Sequence, residues 1–125
     1  LSKGPVAALT LFLALSGPAM AADRDPWFGR DKALHFSASA TLAMVGYGAS
    51  ALKTPDPLMR AAAGATLGLG AGIAKELLDL TGAGDPSWRD LTWDVVGTAT
   101  GVLVASGIDY LIRRVSRPAP SPVDR

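Results

Sequence analysis

The chain has one histidine and no cysteine, so any chemistry it performs must be built from His35, carboxylates and lysines. Asp31 and His35 stand four residues apart, as do Lys75 and Asp79, with Glu76 three before Asp79; Asp90 and Asp94 repeat the step of four. On a helix each such pair shares a face. One imidazole among several carboxylates suits two tasks: holding a hard or borderline divalent ion, or passing a proton near neutral pH. His35, Glu76, Asp79 and Asp94 are therefore the candidate catalytic or metal-holding residues. A divalent metal is compatible with this set but not favoured, because the paired His-x3-His spacing of zinc hydrolases is missing, as are a serine nucleophile motif and a phosphate loop. The wider polar set, Asp31, Lys32, His35, Lys75, Glu76, Asp79, Asp90 and Asp94, fits equally well a network that only locks helix ends. In that plainer reading Asp90 completes a cap, Asp31 is a first-turn acid facing the helix dipole, and Lys75 pairs Asp79 along its own helix.

These residues are positioned by three hydrophobic segments, 33–52, 58–80 and 91–112, each near the length that spans ~30 Å as a helix. Strands are disfavoured, since the segments lack period-two alternation and are rich in Ala, Leu and Gly rather than Val, Ile and Thr. Asp56-Pro57 fits an N-cap followed by proline at the first helical position, and Ser87 with Asp90 fits a capping box. Gly64, Gly68 and Gly72 recur at steps of four in the second segment, while Gly97, Gly101 and Ala105 do so in the third. Small residues at that spacing let membrane helices approach closely. Glu76 continues the first stripe, and Gly97 and Gly101 continue the face of Asp94, so the carboxylates should face neighbouring helices. With the helices alternating in direction, the start of the first, the end of the second and the start of the third meet at one level.

The expected fold is thus all-α, a small antiparallel bundle of three Gly/Ala-rich hydrophobic, transmembrane helices after an N-terminal signal segment. Lys3, an apolar run, then Ala19-Met20-Ala21 read as a signal peptide over 1–21. An outer-face segment follows over 22–30, the helical membrane domain over 31–114, and a disordered basic, proline-rich tail over 115–125. Composition agrees: 49% of residues are hydrophobic and only 18% charged, too few charges for an ordinary water-exposed surface. A net charge of +1 and no basic tract interleaved with aromatics argue against nucleic acid as a partner. Lys53, Arg60, Arg113, Arg114 and Arg117 fall on the side that positive-inside bias assigns to the cytoplasm. Trp27, Trp88 and Trp93 fall at the opposite boundary, where indole prefers to sit. This places the polar cluster on the periplasmic side of a bacterial-type inner membrane; a periplasmic, membrane-associated bundle is the alternative.

Three stretches then carry a resemblance: Asp31-Lys32-Ala33-Leu34-His35-Phe36, Lys75-Glu76-Leu77-Leu78-Asp79, and Ser87-Trp88-Arg89-Asp90-Leu91-Thr92-Trp93-Asp94-Val95-Val96-Gly97. In this order they resemble the YfiM-like family of small envelope proteins, often described as lipoproteins, and more distantly VanZ-like membrane proteins. The resemblance implies a helical envelope protein without an assigned reaction; VanZ-like members are linked to glycopeptide antibiotic resistance. This chain has no cysteine to lipidate, and Asp94 stands where VanZ-like members commonly carry asparagine. Three functions follow as expectations. The first is a structural or interaction protein. The second is a metal- or acid/base-assisted enzyme acting on a lipid-linked or cell-wall substrate. The third is a ligand-binding or transport-accessory protein, which with only three helices requires a homo-oligomer or an envelope protein partner. Membrane lipid is the expected surrounding in each.

Overall fold

A computed structural model describes residues 24–119; the expected leader and residues 120–125 of the expected tail lie outside the described residues. Three helices account for most of it: α1 (Arg30–Ala51), α2 (Pro57–Leu78) and α3 (Trp88–Val115), and no strand occurs among the described residues. Helix starts follow from local chemistry. Asp56 accepts the Leu58 N–H at 2.9 Å with Pro57 at the first helical position, so α2 begins where a missing N–H costs nothing. Ser87 caps α3 by accepting the Asp90 N–H at 3.1 Å. The expected reciprocal half of that box does not form, because the Ser87 N–H is donated instead to Glu76 of α2 at 2.6 Å. Asp90 is thereby left to other partners.

Between α2 and α3 the chain opens into a π-helical turn, Asp79–Ala83, that ends at Gly82 with φ 98°, a conformation few residues other than glycine adopt. The turn keeps Asp79 buried against the bundle, close under Gly84.

Helix α1 packs on both other helices, which also touch each other. Ala43 and Ser39 lie against Gly64 and Gly68, so α1 and α2 run in opposite directions, while Phe36 and Ala40 lie against Gly97 and Gly101, so α1 and α3 run together. A Cβ on Gly101 would collide with the Ala40 carbonyl and one on Gly97 with that of Phe36, so only glycine permits this approach. Inner faces step by four: His35, Ser39, Ala43 and Tyr47 on α1; Gly64, Gly68 and Gly72 on α2; Asp90, Asp94, Gly101 and Ala105 on α3, with Gly97 and Thr98 between.

Among the described residues the buried apolar ones are Ala43, Tyr47 and Ala105, whereas Lys32, Ser39, Asp79, Ser87, Asp90, Asp94 and Thr98 are buried too. Large apolar side chains such as Leu58, Met59, Leu67, Ile73, Leu103, Val104 and Ile108 point outward. One described helix, α3, is long and apolar enough to cross a membrane, with mean hydropathy 1.6 over a stretch of which only 17% is buried. The expectation of three such helices therefore narrows to one. The cause is compositional: α1 begins with Arg30-Asp31-Lys32 and carries several serines and threonines, and α2 spends four positions on glycine, which packs closely but adds almost no hydropathy.

Candidate functional site

Charged side chains gather where α1 and α3 begin and α2 ends. Lys32, in the first turn of α1, is buried to 4% exposure and makes ion pairs with Asp25 and Asp90, with Asp31 at 3.5 Å. An ammonium so enclosed needs several acceptors, and the segment before α1 and the first turn of α3 supply them. Asp31 itself stays largely exposed at the rim.

His35, one turn further along α1, points between the two acids of α3. Its Nδ1 lies 3.1 Å from both oxygens of Asp94, and its Nε2 lies 3.4 Å from Asp90. Asp94, 2% exposed, also accepts the Ser39 hydroxyl at 2.7 Å and packs on the bare backbone of Gly72. With a proton on each ring nitrogen the imidazole donates to both carboxylates; with one proton it serves a single carboxylate.

From α2, Lys75 reaches Asp79 at 2.9 Å, Glu76 at 3.3 Å and Asp90 at 3.5 Å. The Lys75–Asp79 pair expected along one helix is present, yet the same ammonium also ties α2 to α3. Glu76 divides its oxygens between Lys75 and the Ser87 N–H. Thus Asp31, Lys32, His35, Lys75, Glu76, Asp79, Asp90 and Asp94 are joined by successive contacts, with His35 directly on Asp94 and three contacts away from Glu76, through Asp90 and Lys75.

Sequence reasoning missed Asp25. It lies in a stretch without periodicity, yet it pairs with Lys32 and accepts the Ser87 hydroxyl at 2.6 Å. Partial burial raises its carboxyl, but Lys32, Ser87 and Arg89 outweigh that and hold it below its ordinary value of 3.8. The Arg89 guanidinium donates to the Asp25 carbonyl and lies over the rings of Trp27 and Trp88, at 5.4 and 5.8 Å from their centroids. Trp93 donates to the Trp27 carbonyl at 2.8 Å, so all three tryptophans collect at the charged end.

A trough of about 310 Å³ opens between α1 and α2 beside this network. Ser39, Gly72 and Asp94 form its floor, Asp31, His35 and Lys75 its charged end, and Leu34, Ala38, Leu42 and Ala71 its apolar walls. One oxygen each of Asp31 and Asp90 and one ring nitrogen of His35 lie within 4.8 Å of one another, a donor set of the kind that holds a divalent ion. Lys32 and Lys75 already stand against Asp90, so an arriving ion must displace ammonium groups. As it stands the arrangement pairs opposite charges.

A second polar cluster closes the opposite end. Asp109 accepts from Tyr47 at 2.8 Å, Arg60 at 2.7 Å and Arg113 at 3.1 Å. A signal for it was present: Asp109 continues the step of four from Gly101 and Ala105, and Arg60 extends the Gly64, Gly68, Gly72 stripe backward by the same step. No known family model matches the chain, and no curated protein or solved structure matches it either.

Proposed function

We propose that the chain is an integral membrane protein of a bacterial-type cell envelope whose charged end, on the periplasmic side, locks three helices into one rigid unit for a structural or interaction role. The observation that carries this reading is that the most enclosed ionic groups, Lys32, Asp90 and Asp94, at 4%, 3% and 2% exposure, are partnered from three different segments of the chain. Groups so arranged hold elements together whether or not anything binds. The inverted distribution of side chains supports the membrane surrounding: small and polar residues inside, large apolar ones outside. A resemblance to YfiM-like envelope proteins is compatible with this role.

A double-mutant cycle on His35→Ala and Asp94→Ala, read by unfolding in detergent, tests the lock. Coupling of about 1 kcal/mol or more is expected for groups in direct buried contact; additive effects would refute it. Carbonate extraction, with labelling of Thr54→Cys and Asp85→Cys from either side, tests the membrane reading. Release of the chain by carbonate, or labelling of both cysteines from one side, would overturn it.

The grouping of Asp31, His35 and Asp90 favours a second reading, a metal- or acid/base-assisted enzyme on a lipid-linked or cell-wall substrate. Elemental analysis of the purified wild type against His35→Ala decides it: stoichiometric metal lost on substitution supports the metal version, and none in either protein removes it.

A further inference from the structure

The trough between α1 and α2 has two chemically different halves. From Asp31 to Leu42 it follows α1 for about 16 Å, roughly half of a bilayer's hydrocarbon thickness. Its apolar half, Leu34, Ala38, Leu42 and Ala71, is walled by short side chains on α2 and open sideways. Its charged half ends at Asp31, which is 68% exposed with Lys32 at 3.5 Å as its nearest cation, and at Lys75, which is 43% exposed. An exposed carboxylate and a half-exposed ammonium thus border one apolar channel.

We propose that this trough holds one chain of a zwitterionic, ammonium-bearing lipid, with the head group's ammonium at Asp31 and its phosphate at Lys75. The inference rests on the membrane reading above and adds a ligand class to it. Charge selects the head group. The charged lining of the trough is Asp31, Asp94 and Lys75, and the Lys75 ammonium is already faced by Glu76, Asp79 and Asp90, so a purely anionic head group meets net repulsion. A cationic group facing Asp31 relieves that excess, and Lys75 supplies the single accessible donor for a phosphate. The volume lies at the lower end of ordinary ligand sites, enough for the head group and the adjoining part of one chain, the rest of which follows the open side along α1.

The test uses the full chain in mild detergent, titrated with phosphatidylethanolamine or phosphatidylglycerol and read by native mass spectrometry. Phosphatidylethanolamine is expected to bind about fivefold more tightly, the ~1 kcal/mol of an exposed ion pair. Ala38→Leu and Ala71→Leu fill the trough without touching the ionic network and should each lower that binding at least several-fold with an unchanged unfolding midpoint. Ala62→Leu, on the outer face of α2 away from the trough, should leave it unaltered. Asp31→Asn should abolish the preference between the two lipids. Equal binding of both lipids by the wild type, or binding indifferent to both trough-filling variants, overturns the proposal. Release of the chain by carbonate sinks the membrane reading itself, whereas a carbonate-resistant chain without lipid preference sinks only the trough.

Discussion

The two ends of the bundle solve the same problem with different side chains. At one end several carboxylates surround two lysines and a histidine, and the buried Lys32 and Asp90 each draw partners from more than one segment. At the other a single carboxylate, Asp109, collects donors from all three helices. The arginines there also cover the turn between α1 and α2, with Arg60 donating to the carbonyls of Thr54 and Ala51 and Arg113 to that of Pro55. Carbonyls at a helix C-terminus lack intrahelical donors, and the planar guanidinium fork can satisfy several acceptors at once. One end is a mutually dependent ion network; the other is a staple over a helix terminus.

That contrast is broken most directly by Asp90→Ala. Asp90 faces Lys32, His35 and Lys75, so its loss leaves a 4%-exposed ammonium with Asp25 as its remaining close carboxylate. A destabilisation of about 3–5 kcal/mol is expected, as when one partner of a buried ion pair is removed. Arg60→Lys, which keeps the charge but loses the fork, should lower the unfolding midpoint distinctly less. Chemical unfolding of both variants in the same detergent compares the ends, and an equal or reversed order would erase the difference between network and staple.

Much of the charged end was legible because helices impose periodicity. Glu76 and Asp94 could be placed on inner faces by their spacing from small residues, His35 by sharing a face with Asp31, and alternating helix directions brought those faces to one level. What escaped lacked a period or needed a partner to reveal it. Asp25 sits in an irregular segment, and its role exists only because Lys32 turns toward it. Asp90 looked like the second half of a capping box, yet Glu76 takes the Ser87 N–H and frees Asp90 for Lys32. Segment length misled where hydropathy did not: α1 and α2 are as long as spanning helices, yet the serines of α1 and the glycines of α2 leave α3 as the one described helix apolar enough to cross a membrane.

Glycine substitutions sharpen the comparison on a smaller scale. At Gly72 a Cβ would press on Asp94, whose carboxylate is already fixed by His35 and Ser39; at Gly48, near the opposite end, a Cβ would meet nothing. Gly72→Ala is expected to cost about 1–3 kcal/mol through overpacking and displacement of that carboxylate. Gly48→Ala should be neutral or stabilise by up to about 1 kcal/mol through helix propensity. Unfolding midpoints of the two variants check this. If Gly72→Ala were neutral, Asp94 would be able to swing aside, and the network would be looser than its geometry implies.

The smallest effect concerns acid, and it separates the ends by titration rather than by deletion. Asp25 lies outside the three helices, and its carboxyl is held below 3.8 in the folded chain. A group with a depressed folded value binds protons more readily when unfolded, so its contribution to stability is complete above the ordinary value and fades as pH falls through the depressed one. Asp25→Asn removes that contribution while keeping a polar side chain near Lys32 and Ser87. The variant should therefore be less stable than the wild type at pH 7, and the gap should narrow as the pH drops below about 3.8, as the wild-type carboxylate is protonated too. Unfolding midpoints measured from pH 7 down to the acid limit test this directly. A gap that stays constant with pH would mean that Asp25 acts through shape and hydrogen bonding alone, and that the charged end draws its cohesion from Asp90 and Asp94 without help from the segment preceding α1.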